Sequence, residues 1–338
     1  MALDLLEAEL AVELPAHMRA FARAHADGRP PPAAPLIARL ASTLQTARNA
    51  CMHDVLADRG LALLRLVAPL VIEDDPAVVV ARAMPPTWQN LSTLAAQRDA
   101  AARARFGLSS VQLAHRLHGV DATRHDHDAP GPAIEGWHER DFAIDHTGII
   151  DAWQAIAART GVTGTVRVDR SKKAHPRAFV IEPKVEVVIV VPEVIDTPAA
   201  RFAVLHELGH AVAALALPAG VPRVVDEAAA SYIARLAEPP SWLPPRWPSE
   251  LAAAARRRRT ALAAMLDEIE RGLPTLADTP SSAPPWALWH DPGAQGSYVE
   301  AEVIADRLAK DLGPNPPRGQ LVRALKAERD RVDHRTRI

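Results

Sequence analysis

Apolar positions recur at helical spacing over most of this chain, and proline-rich breaks cut the pattern into pieces. The spacing predicts helices over 2–14, 34–58, 88–106 and 109–118, with Pro30-Pro31-Pro32 and Pro85-Pro86 as breaks. The polar stretch His125-Asp126-His127-Asp128-Ala129-Pro130-Gly131-Pro132 reads as a solvated loop, not as a second metal site. A helix around 148–160 follows. Three short runs rich in β-branched residues come next, at 165–168, 178–181 and 185–191, and turns bound each of them. They predict a small sheet whose edge strand offers main-chain groups to an extended peptide. Further helices are predicted at about 198–216, 223–237, 247–272, 297–312 and 318–331. The fold class is therefore mainly α with a small β-sheet (α+β). A helical N-terminal region, 1–125, precedes a region, 126–338, that holds the sheet at about 164–191.

Composition narrows the picture. A chain of 338 residues, 48% of them hydrophobic, can bury a full core, with alanine and leucine carrying the load that aromatics, at 4%, do not. The formal charge of −2 implies no general attraction to nucleic acid or to an anionic membrane. Arg256-Arg257-Arg258-Arg259 then reads as a solvated helix face. The single cysteine, Cys51, excludes an internal disulfide and suits a small buried hydrophobe. Met1 to Leu10 is acidic and amphipathic, unlike a signal peptide, and no apolar run approaches the length of a membrane span. A cytoplasmic protein is expected.

One five-residue stretch carries chemistry: His206-Glu207-Leu208-Gly209-His210, inside an apolar helical run that starts near Asp196 or Thr197 and ends at Pro218-Ala219-Gly220. Residues four apart share a helix face, so His206 and His210 can hold one metal ion together. Glu207 points about 100° around the helix, where it can take a proton from a water at that metal. Two imidazoles with a neighbouring carboxylate base are what a zinc hydrolase requires, and H-E-x-x-H on a helix marks a zincin-like metallopeptidase core. Zincins with a third histidine would need it at Ala216, with a glycine at Ala213, so the third ligand is expected to be a carboxylate. Asp226 and Glu227 open the next helix. Glu227 has the longer reach and is the expected ligand, leaving Asp226 as an alternative ligand or as a partner that orients an imidazole.

Several segments in order resemble the thimet oligopeptidase and oligoendopeptidase F family. They are Arg98 to Ser109, Asp169 to Phe179, Arg201 to Val212, and a downstream stretch with His290, Tyr298 and Val303 to Ala309. The resemblance implies a gluzincin-type peptidase with Zn2+ held by His206, His210 and Glu227. It further implies Glu207 as general base, and His290 and Tyr298 lining the cleft as donors to the developing oxyanion. Arg201 to His210 and Glu227 to Ala230 also resemble ImmA/IrrE-like regulatory peptidases, which cleave a specific protein partner. The expected partner is a peptide or oligopeptide substrate. A zinc-stabilised scaffold without activity is the rival of another class, and the intact Glu207 argues against it.

Overall fold

The computed structural model describes residues 2–29, 37–51, 56–73, 75–120, 144–172, 175–235, 252–273, 284–285, 288–289, 293–313 and 316–336. Its described residues are mostly helical with one small three-stranded sheet, as the periodicity predicts. The polar stretch around His125 and His127 lies outside them, as does His290.

The N-terminal part holds α1 (Ala2–Ala26), α2 (Ile37–Cys51), α3 (Ala57–Glu73), α4 (Pro76–Arg82), α5 (Trp88–Phe106) and α6 (Ser110–His118). Three of these depart from the expected pattern. α1 runs on through Pro15 because its second half, with Met18, Phe21 and Ala22, covers one face of the sheet, which outweighs the lost helix hydrogen bond. α3 is absent from the expected pattern although it is amphipathic, with Leu61, Leu63, Leu64, Val67, Ala68, Val71 and Ile72 all buried; like α1 it runs on through a proline, Pro69. Its Gly60 sits against α2: a Cβ there would fall 2.8 Å from the carbonyl oxygen of Ala47. α4 is short and begins at Asp75, whose carboxylate accepts from the amide of Ala77. Cys51 is a free, half-buried thiol in this bundle, and burial pushes its pKa up, as suits a small hydrophobe.

After α7 (His146–Thr160) the chain forms β1 (Thr165–Ser171), β2 (Arg177–Glu182) and β3 (Glu186–Pro192). β3 is central, parallel to β1 and antiparallel to β2, so β2 is an edge strand. The alternation of β3 divides its side chains between two cores. Val187, Ile189 and Val191 face α7 and α8 (Pro198–Ala216), while Val188 and Val190 join Phe179, Ile181 and Ala22 under α1. α9 (Arg223–Ala234), α11 (Ala294–Leu312) and α12 (Gln320–Thr336) complete the larger core. α10 (Ala252–Gly272) gives Leu266 to the N-terminal core instead, where Leu273, Leu288 and Trp289 also pack.

The helix with the His-Glu pair is built as expected. Thr197 caps it by accepting from the amide of Ala200, and Pro198 occupies the first turn. α9 packs across it at Gly209, where a Cβ would lie 2.3 Å from the Cα of Ala230 and 2.8 Å from the carbonyl oxygen of Ala229. Pro222 begins α9 without a side-chain cap. The Nδ1 of His118, at the end of α6, accepts the Arg223 amide at 3.0 Å in its place.

The glycine contact predicts the outcome of one substitution. Helix propensity favours alanine over glycine by about 0.5–1 kcal/mol. A methyl driven into the α9 backbone costs about 1–3 kcal/mol, and backbone cannot rotate aside. Gly209→Ala is therefore expected to lower stability in urea unfolding and to weaken metal binding by displacing Glu227. An increase in unfolding free energy would contradict it.

Candidate metal and active site

His206 and His210 stand one turn apart on α8, with ring centroids 4.8 Å apart. Glu227, in the first turns of α9, inserts between them from the other side. Its Oε2 lies 3.0 Å from Nε2 of His206 and 3.6 Å from Nε2 of His210. Ligand atoms of these three residues all lie within 4.8 Å of one another and can hold a metal ion. Among the described residues it is the one group of that kind. His206 and Glu227 are almost fully buried, at 1% and 3% exposure.

Asp226, the alternative ligand, is placed elsewhere. Its Oδ2 lies 3.0 Å from Nδ1 of His210, on the ring edge facing away from Glu227. A carboxylate there fixes the imidazole orientation and leaves Nε2 to face the cluster. The two acids of the sequence pair Asp226-Glu227 thus divide: Asp226 lies against the far edge of the His210 ring, and Glu227 joins the group that can hold a metal ion.

The electrostatics follow from burial and neighbours. Burial, reinforced by the charge of Arg259, pushes His206 down to about 3, so it is a neutral imidazole. Burial also opposes a charge on His210, but the Asp226 and Glu227 carboxylates outweigh it and raise that imidazole to about 10. Burial would likewise raise Glu227, yet His210 and the hydrogen bond from His206 hold it well below the usual carboxylate range. The cluster is therefore pre-ionised: a carboxylate faces one neutral ring and one cationic ring that must lose its proton to bind metal.

Glu207 reaches toward the sheet. Its Oε2 accepts the backbone N–H of Ala178 on β2 at 2.6 Å. Burial raises its pKa from the ordinary value, partly offset by His210 and Arg259. An edge amide that the sequence pattern leaves open to an extended ligand is thus already engaged by the carboxylate of Glu207.

Tyr298 lies in the second turn of α11, because that helix begins at Ala294 and not at Ser297. Its ring centroid is 6.4 Å from that of His206, which places it beside the metal-binding group. Glu270 on α10 fixes the start of α11 by accepting the Gly293 amide at 2.7 Å. Gly296 packs so closely that a Cβ would lie 2.7 Å from Nε2 of His115. Tyr232, the other tyrosine, is buried in the larger core.

Arg259 corrects the expectation of a solvated arginine run. The side chains of Arg256, Arg257 and Arg258 lie outside the described residues, but Arg259 turns into the site with 31% of its side chain exposed. Its guanidinium carbon is 4.5 Å from the Tyr298 ring centroid, and its Nη2 is 3.9 Å from Oε2 of Glu227. Arg223 approaches the same pair, at 5.9 Å from the Tyr298 ring and with Nε 3.7 Å from Oε1 of Glu227. Four like charges in a row resemble any solvated helix face, and nothing in their spacing marks the one that turns inward.

No helix among the described residues is long and apolar enough to cross a membrane. No protein family and no curated protein matches the chain. A solved structure described as "The Structure of CHT" is similar to it with a TM-score of 0.44 and 12% sequence identity, over 99% of this chain and 91% of that one. A likeness at that level carries no argument about fold or function.

Proposed function

We propose that this protein is a zinc-dependent peptidase that hydrolyses peptide bonds in peptides or oligopeptides. The observation that carries the reading is the convergence of two Nε2 atoms and one carboxylate oxygen beside a second, non-ligating carboxylate. The donor set fits zinc. Tetrahedral zinc with bonds of about 2.0–2.2 Å separates its ligand atoms by roughly 3.3 Å, and the two nitrogen-to-oxygen distances found here, 3.0 and 3.6 Å, bracket that value. Three protein ligands also leave a coordination position open, which distinguishes catalytic from structural zinc sites.

When bound, zinc supplies Lewis-acid polarisation of a carbonyl and lowers the pKa of a water. The protein's own groups do the rest. Glu207 is held by the Ala178 amide and made more basic by burial, so one of its carboxylate oxygens can take the proton of the attacking water and return it to the leaving nitrogen. Asp226 keeps His210 turned toward the cluster. Tyr298, beside His206, can direct its hydroxyl at the oxygen that gains negative charge during attack. A structural zinc site has no use for Glu207, which favours hydrolysis over a scaffold.

Two substitutions separate these roles. Glu207→Gln is expected to keep one zinc per chain and the wild-type melting temperature while losing about 10²–10⁴-fold in turnover of a mixed peptide library followed by mass spectrometry. Near-normal hydrolysis by that variant would remove Glu207 as the base. Tyr298→Phe should lower kcat by roughly 10²-fold with zinc content and melting temperature unchanged. Activity lost only in proportion to stability would make Tyr298 a packing residue.

A further inference from the structure

Arg259 has a position that metal binding and proton transfer leave unexplained. It leaves a helix whose far end is firmly tied down. Asp267 of α10 lies 3.0 Å from Nε2 of His115 on α6, and Glu270 of α10 holds the start of α11. That anchorage sets α10 against α11, and the Arg259 guanidinium lies over Tyr298. One of its N–H donors goes to the Tyr298 hydroxyl, and contact with the ring helps to fix the guanidinium. The 3.9 Å contact with Glu227 is longer than a hydrogen bond, so that carboxylate does not take up the remaining donors. The side chain remains partly exposed, at the border of the candidate metal cluster.

The charge balance points the same way. Glu207, Asp226 and Glu227 supply the negative charge of the cluster, and Arg223 and Arg259 nearly neutralise it. A divalent ion added to this set leaves positive charge in excess. Arg259 acts electrostatically on His206 and Glu207 as well as on Glu227, so a negative group beside it would lie within reach of the whole centre. A guanidinium held against an aromatic ring, partly exposed and with donors beyond the one given to Tyr298, can take a carboxylate through charge-assisted hydrogen bonds.

We infer that Arg259 is a carboxylate-binding specificity residue, so that the substrates are peptides carrying a carboxylate close to the reacting bond. The inference rests on the peptidase reading, and binding measured without turnover separates the two. The protein for the test is the Glu207→Gln variant loaded with zinc, its metal content checked, and titrated calorimetrically with three probes. These are N-acetyl-trialanine with a free C-terminal carboxylate, its C-terminal amide, and the same amide with one alanine replaced by glutamate.

At least one of the two carboxylate probes is expected to bind tenfold or more tightly than the neutral amide, and the tighter of them identifies a C-terminal or a side-chain carboxylate as the group recognised. Arg259→Gln in the same background, its zinc content checked, should erase that preference, and Arg259→Lys should restore part of it. The preference in the unaltered Arg259 background needs no variant at this position to fold. Equal affinity for all three probes would overturn the inference, as would an Arg259→Gln variant that weakens all three alike. Preference for the acids together with normal hydrolysis by Glu207→Gln would leave the inference standing and remove the proposed base.

Discussion

A carboxylate on one helix can reach two imidazoles on another only where the two backbones nearly touch. At Gly209 they do, with room for a hydrogen atom and none for a methyl against Ala230. Around this contact the faces are Ala- and Val-rich: Val212 and Ala213 on α8, Ala228, Ala229 and Ala230 on α9, all fully buried. Small side chains let the helices approach closely, and the approach brings Glu227 up to His206 and His210. Gly209, between His206 and His210, is thus a packing requirement of the candidate metal-binding group itself.

The same closeness imposes an electrostatic cost. Glu227 and His206 are removed from water, and an ionised carboxylate in that setting is stable only if it is paired. In the described structure the pairing is made by protein groups: His206 and His210 on one side, Arg223 and Arg259 on the other. A divalent cation is a far more concentrated partner, and it would take over the work of the protonated His210. The cluster therefore holds together by mutual charge compensation while its donors remain turned toward one another, a preorganised arrangement that limits rearrangement on metal binding.

Much of this was legible in the sequence because it rests on local regularities. The helix over 198–216, its Thr197 cap, the two-residue choice between Asp226 and Glu227 and the β-branched runs of the sheet all follow from spacing and side-chain type. What escaped depends on contacts between distant segments. α1 passes Pro15 because a sheet more than a hundred residues away needs covering. α3 runs on through Pro69 because its apolar side chains are buried in the N-terminal core. The Ala178 amide is a main-chain group, invisible as a residue type, and only the packing of β2 on α8 brings it to Glu207. Arg259 looks like its three neighbours until α10 is docked against Tyr298.

The central claim is that His206, His210 and Glu227 form one zinc site. Zinc K-edge X-ray absorption on the zinc-loaded protein tests it most directly. The account predicts a first shell of two imidazole nitrogens and oxygen donors at about 2.0–2.1 Å with no sulfur, in which His206→Ala and His210→Ala each remove one imidazole contribution. A shell containing sulfur, or one that is the same in wild type, His206→Ala and Glu227→Ala, would contradict it.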